Sequence, residues 1–227
     1  MSWNRTAGVA GIANVALAFV EFFGPGFPTI GASAATLDSY FADHRQWMLA
    51  AVVVQGLGNA LWLVFLGGLS ARVLRTGALG AGLTTLAGGL LNVAISLAGL
   101  AAIAGLAFGV AGDGDPHLVR GLFVYAGMTL VLSNFMLALM AGGVAAAPVE
   151  GWLRVLSGAG ALVFLAGGCA FAREGAFSPD GSVQFATYGL ELVWTLVVSI
   201  LLLRSPEPGV GADAWVRDRP VRASAER

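Results

Sequence analysis

Six apolar runs, at 6–24, 46–70, 77–109, 118–146, 152–171 and 183–203, constrain this chain more than any other feature. A hydrocarbon core of about 30 Å is crossed by about 20 helical residues, and every backbone N–H and C=O inside it must be paired within the segment. Each run meets that length, so the expected fold is all-α: a polytopic transmembrane bundle of six helices, with the lipid bilayer as its principal partner. The run 77–109 has 33 residues, roughly 50 Å at the helical rise, and must tilt, protrude or break. Residues 1–204 read as the six-helix transmembrane domain. Residues 205–227, polar and containing Pro206, Pro208 and Pro220, read as a disordered cytoplasmic tail.

Charge sets the expected orientation. With six crossings, Arg5, Arg72, Arg75, Arg154, Arg204, Arg217, Arg219, Arg222 and Arg227 fall on one side, and only Arg45, Arg120 and Arg173 on the other. The positive-inside rule then places both termini in the cytoplasm. Trp3 and Trp152 fall at the inner interface, and Tyr40 and Trp47 at the outer one, where amphipathic rings prefer to lie. A cleavable leader ending near Ala32, Ser33 and Ala34 is the competing reading of the N-terminus. Glu21, Pro25 and Pro28 make its gap too long.

Composition removes several function classes. Hydrophobic residues make up 57% and charged residues 11%, and the mean hydropathy of +0.81 excludes an ordinary water-soluble domain. A net charge of −1 leaves no basic surface for nucleic acid. All 12 cations are Arg, so no Schiff-base lysine exists. The single Cys169 excludes an intrachain disulfide or a CxxC pair. Haem would need axial ligands at membrane depth, yet His44 and His117 fall in predicted loops. No zinc-type Cys/His cluster, phosphate loop, GxSxG or HExxH occurs. The loop at 113–117 (DGDPH) has too few oxygen ligands for a calcium site and reads as a solvated helix start. Neither a cofactor nor a bound metal is expected.

Ionisable groups at membrane depth cost about 2.5–3.5 kcal/mol on insertion scales and are functional hypotheses by default. Glu21 lies near the outer end of the first run, and Glu191 about 12 Å into the sixth by the helical rise. Asn14 and Glu21 share one face; Tyr188, Glu191, Thr195 and Ser199 form a stripe on another. If the first and last helices are neighbours, both carboxylates line one outward-facing cavity, capped by His44, Arg45, His117 and Arg120. The competing reading has Glu21 snorkelling to headgroups and Glu191 as a structural glutamate.

A second polar layer falls near the midplane: Asn14, Gln55 and Asn59, Asn92 and Ser96, and Thr129, Ser133 and Asn134. It reads first as interhelical packing glue and second as a ligand site, since such hydrogen bonds average about 0.6 kcal/mol in membranes. Gly pairs at 67–68, 88–89, 142–143 and 167–168 permit close helix approach. Asn14-Val15-Ala16 recurs 78 residues on at Asn92, and Asn59 precedes Gly67 and Gly68 much as Asn134, 75 residues on, precedes Gly142 and Gly143. These offsets hint at a duplicated hairpin of the kind some transporters carry.

The stretch Tyr40, Phe41, Ala42, Asp43, His44, Arg45, followed by an apolar helix and by Phe65, Leu66, Gly67, Gly68, Leu69, Ser70, Ala71, Arg72, resembles a broad family of uncharacterised six-helix membrane proteins of high-GC bacteria. That resemblance implies the topology and a bacterial inner (cytoplasmic) membrane, and it supplies no activity. Three function classes remain open. The leading one is non-enzymatic binding or transport of a small molecule or ion; next come a membrane-embedded enzyme acting on a lipid or isoprenoid and a structural or regulatory membrane partner.

Overall fold

Polar punctuation decides where the helices begin and end. Ser33 accepts a hydrogen bond from Thr36 N at 3.1 Å and starts α2 (Ala34–Asp43). Asp115 accepts from His117 N at 2.9 Å, and Pro116 occupies the first turn of α5 (Pro116–Ala146). Helix α3 (Arg45–Arg75) ends with Arg72 and Arg75 in its last turn, and α7 (Ser182–Arg204) with Arg204, cations placed against the negative end of the helix dipole. Gly77, at φ +83°, supplies the left-handed residue that turns the chain from α3 into α4 (Leu79–Gly105) within three residues. Helices α1 (Trp3–Val20) and α6 (Gly151–Gly168) complete the set.

This computed structural model describes residues 2–20, 23–112 and 114–205; among them the chain is all-helical, with seven helices and no strand. Five helices are long and apolar enough to cross a membrane: α3, α4 with its extension to Val110, α5, α6 and α7. Helix α1, also 18 residues long, carries Asn4, Arg5 and Asn14 and falls below that hydropathy. The long third run stays one rod of 32 residues, relaxing at its end into a π-helical turn (Leu106–Val110) in which Ala111 N donates to Leu106 O at 3.1 Å. Helix α2 lies in a stretch that the apolar runs leave as an outer loop. It buries Leu37 and Phe41 against Met48, Leu106 and Phe123. Asp38 Oδ1 accepts from Gly112 N at 2.8 Å, tying α2 to the end of that rod.

Helices α1, α3, α4, α5, α6 and α7 pack in chain order, and α7 returns to α1, closing a ring. Glycines mark the contacts. Gly68 of α3 lies on Ala7, and Gly8 of α1 on Ser199 and Leu203, so α1 runs antiparallel between α3 and α7. At Gly88 a Cβ would fall 2.6 Å from Met140 N and 2.8 Å from Met136 O. The α4–α5 backbones approach that closely only because one side chain is missing. Outside the ring, Val53, Leu57, Leu90, Leu162 and Val193 are exposed, rows of apolar side chains that fit a lipid surface.

One end of the ring gathers arginines. Arg75 donates to Asn4 Oδ1 at 3.1 Å, Arg72 pairs with Glu150 and donates to Ser205, and Arg154 donates to Ala145 O at 3.3 Å. These bonds join the start of α1, the end of α3, the α5–α6 turn and the end of α7. The expected tail lies outside the described residues beyond Ser205.

Candidate functional site

The interior of the ring differs along its length. In the arginine-rich half, Phe65, Leu69, Phe164, Trp194, Val198 and Leu202 fill the axis, all 0% exposed. Phe65 meets Trp194 edge-on, ring centres 6.2 Å apart and planes at 88°, and Trp194 Nε1 donates to Ser157 Oγ at 3.1 Å. Trp62 stacks on this plug at 6.1 Å from Phe65. Above it the axis opens into a cavity of about 460 Å³.

Five helices line that cavity. Helix α1 contributes Asn14; α3 contributes Gln55, Asn59 and Trp62; α4 contributes Asn92 and Ser96. Helix α5 adds Ser133 and Asn134, and α7 adds Gln184, Tyr188 and Glu191. Of the eight residues expected in the midplane layer, seven (Asn14, Gln55, Asn59, Asn92, Ser96, Ser133 and Asn134) therefore face one space, together with Glu191 and Tyr188, while Thr129 does not line it. The four asparagines of the two repeat offsets are among them. The backbone reason is that Asn59 lies four residues after Gln55 and Ser96 four after Asn92, so each pair occupies one helix face, turned inward. The first and last helices are indeed neighbours.

Hydrogen bonding within the layer is partial. Asn59 Nδ2 donates back to Gln55 O at 3.0 Å, and Asn134 Nδ2 crosses from α5 to Gln184 Oε1 at 3.0 Å. The Thr129 and Ser133 hydroxyls donate to carbonyls on their own helix. Among the described residues, four buried polar atoms lack a partner, and two of them, Trp62 Nε1 and Asn92 Oδ1, belong to the cavity lining; Ser70 Oγ and Thr195 Oγ1 are the others. Glu191 is half-buried and has no hydrogen-bond or ion-pair partner among the described residues.

The mouth is framed differently from the expected cap. Phe27, Pro28 and Ile30, from the segment between α1 and α2, meet Trp47, Pro179 and Asp180 there. Ile30 N donates to Asp180 Oδ2 at 3.1 Å, Tyr40 Oη donates to Pro25 O at 3.2 Å, and Ile30 lies against Gly127. Residues 24–30 thus strap the mouth. Partial burial pushes the Asp180 carboxyl up, but hydrogen bonds from the Ser178 hydroxyl, Ile30 N–H and its own N–H outweigh it and hold the group below its ordinary value. Burial pushes the phenol of Tyr40 up.

The other expected residues lie elsewhere. His44 Nδ1 sits 2.9 Å from Tyr40 O at the α2–α3 corner, and Arg45 donates to Ala111 O at 3.3 Å; both line an open surface depression beside Asp43 and Gly112. His117 and Arg120 are exposed on the first turns of α5 and line neither space. Glu21 lies outside the described residues, as does Asp113 of the acidic loop. Among the described residues no group of three or more His, Cys, Asp or Glu is placed to hold a metal. Gln184 and Asp180 are the site residues that the sequence reading did not select. Asp180 sits in the polar turn before α7 and Gln184 in the first turn of α7, where both side chains read as solvated. In comparisons with known proteins, no family model, no curated protein and no solved structure matches this chain.

Proposed function

We propose that the chain is a six-span membrane protein that binds, and moves across the bilayer, a small molecule or ion through a cavity opening at the end opposite the arginines. The observation that carries this reading is the cavity of about 460 Å³ into which five helices turn their polar residues, with Glu191 inside it and without a partner among the described residues. A volume of this size belongs to small-molecule sites, which are mostly apolar with a few placed polar groups. An ionisable residue at membrane depth marks a substrate or ion pathway by default.

Helix α1 serves as the sixth span in this reading, because it runs alongside α3 and α7 from the arginine-rich end to the cavity. Arginine excess then puts both termini inside and the cavity mouth outside. The plug of Phe65 and Trp194 closes the inner side, as a binding site with access from one side requires. The bacterial cytoplasmic membrane implied by the family resemblance belongs to the same proposal.

Cysteine accessibility tests it. Cys169 is free and exposed, so Cys169→Ser provides a background for Ser96→Cys in the cavity and Ser199→Cys beside the plug. In oriented cells or vesicles with no ligand added, a membrane-impermeant thiol reagent should label Ser96→Cys faster from the outside than from the inside and label Ser199→Cys far more slowly. Failure of Ser96→Cys to label from the outside, or equal labelling at the two positions, overturns the reading.

A further inference from the structure

We infer that the occupant of this cavity is an organic ammonium ion with an aromatic or apolar body, its cationic head paired with Glu191. The inference deepens the proposed function and rests on the cavity being a binding site. Its first support is charge. Among the described residues the lining carries two carboxylates, Glu191 at depth and Asp180 at the mouth, and no Arg or His. An anion would meet uncompensated negative charge there, and a neutral guest would leave a desolvated carboxylate unpaired.

The second support is independent of charge. Asn92 Oδ1, on a side chain 6% exposed, is a buried acceptor without a donor. Buried polar groups are normally satisfied, and each orphan asks for a partner. An ammonium head brings several N–H donors and no acceptor, which suits a site offering a carboxylate and an amide oxygen. Trp62 Nε1, on a side chain 4% exposed, is an orphan donor in the same lining. It asks the guest for one acceptor as well, such as an ether oxygen.

The walls supply the third support. Phe27, Trp47, Phe123 and Phe185 line the space, and aromatic faces attract organic cations while a hydrated metal ion would leave them unfilled. A guest joining an ammonium group, one oxygen acceptor and an aryl ring uses every one of these features.

Three compounds on one skeleton separate the possibilities: 2-phenoxyethylammonium, 2-phenoxyethanol and phenoxyacetate. Binding to the full chain in detergent is read by calorimetry and by the fluorescence of Trp47 and Trp62. The cation should bind at least about tenfold more tightly than the alcohol, and the anion should be the weakest, because only the cation pairs with the carboxylate in the cavity. Glu191→Gln should erase the gap between cation and alcohol, and Glu191→Asp, which keeps the charge, should preserve a preference for the cation. Equal affinity for all three compounds, binding of none of them, or a cation preference that survives Glu191→Gln overturns the inference. If the cysteine at position 96 still labels from outside in any of those cases, the cavity stands and only its ligand class falls; if it does not label, the functional reading falls too.

Discussion

The two halves of the helix ring use the same architecture to opposite ends. Around the arginine-rich half the axis is filled by Phe65, Phe164, Trp194 and Leu202, all fully buried. In the other half amides, hydroxyls and small residues such as Gly58, Gly99 and Ala126 share the inward positions with apolar side chains such as Met48 and Phe123, and a void of about 460 Å³ results. A dry void of that size would forfeit much dispersion energy. Polar walls instead admit water or a guest. The difference teaches that helix number and packing order do not decide whether a bundle is solid or hollow; side-chain volume at a few axial positions does.

Breaking the solid half should have the largest effect. Trp194 is 0% exposed and seals the floor against Phe65, so Trp194→Ala should cost about 3–5 kcal/mol. It should also let the impermeant thiol reagent reach Ser199→Cys. A thermal unfolding series in detergent reads the first effect; unchanged protection at position 199 would show that the floor is sealed by something else. Next in size is the α4–α5 seam. Gly88→Ala would place a methyl against the Met140 backbone, which cannot swing aside, and should cost about 1–3 kcal/mol as overpacking does. Gly56, whose Cβ would meet nothing within 4 Å, gives the matched control, and Gly56→Ala should be near neutral or stabilising through helix propensity. Equal effects at the two sites would contradict the seam.

The smallest effect belongs to the strap over the hollow half. Asp180 has a folded pKa below its ordinary value, so the stability it contributes is present above the unfolded pKa and is lost as pH falls through the lower folded one. The hydrogen bond to Ile30 N should therefore survive from neutral pH to below the ordinary carboxylate range. Amide exchange at Ile30, corrected for its intrinsic pH dependence, should stay slow across that interval and quicken only in stronger acid. Asp180→Asn should speed exchange at every pH. Loss of protection already between pH 7 and 5 would remove Asp180 as the latch.

Much of this was legible before any coordinates. Runs of about 20 apolar residues can satisfy their backbone in lipid only as helices, and the spacing of Gln55 and Asn59, or Asn92 and Ser96, put each pair on one face. What stayed hidden has identifiable causes. Helix α2 is only 10 residues long and carries its apolar Leu37 and Phe41 one turn apart, too short a pattern to stand out from a loop. Gln184 begins α7 among turn residues, and only the approach of α5 brings Asn134 to it. His44 and Arg45 looked like a cap because the expected topology puts them on the same side as Glu191. In the fold their side chains are taken by Tyr40 O and Ala111 O.

By itself the chain of letters determined that the backbone must coil into long apolar helices and which helix ends carry the arginines. Those outcomes follow from local hydrogen bonding and transfer energy, which each segment settles alone. Only the tertiary structure decided that the amide faces of five rods meet in one hollow, that tryptophan and phenylalanine stopper its floor, and that a strap held by Asp180 frames its mouth. Those are relations between segments far apart in sequence, set by which small residues let two backbones touch.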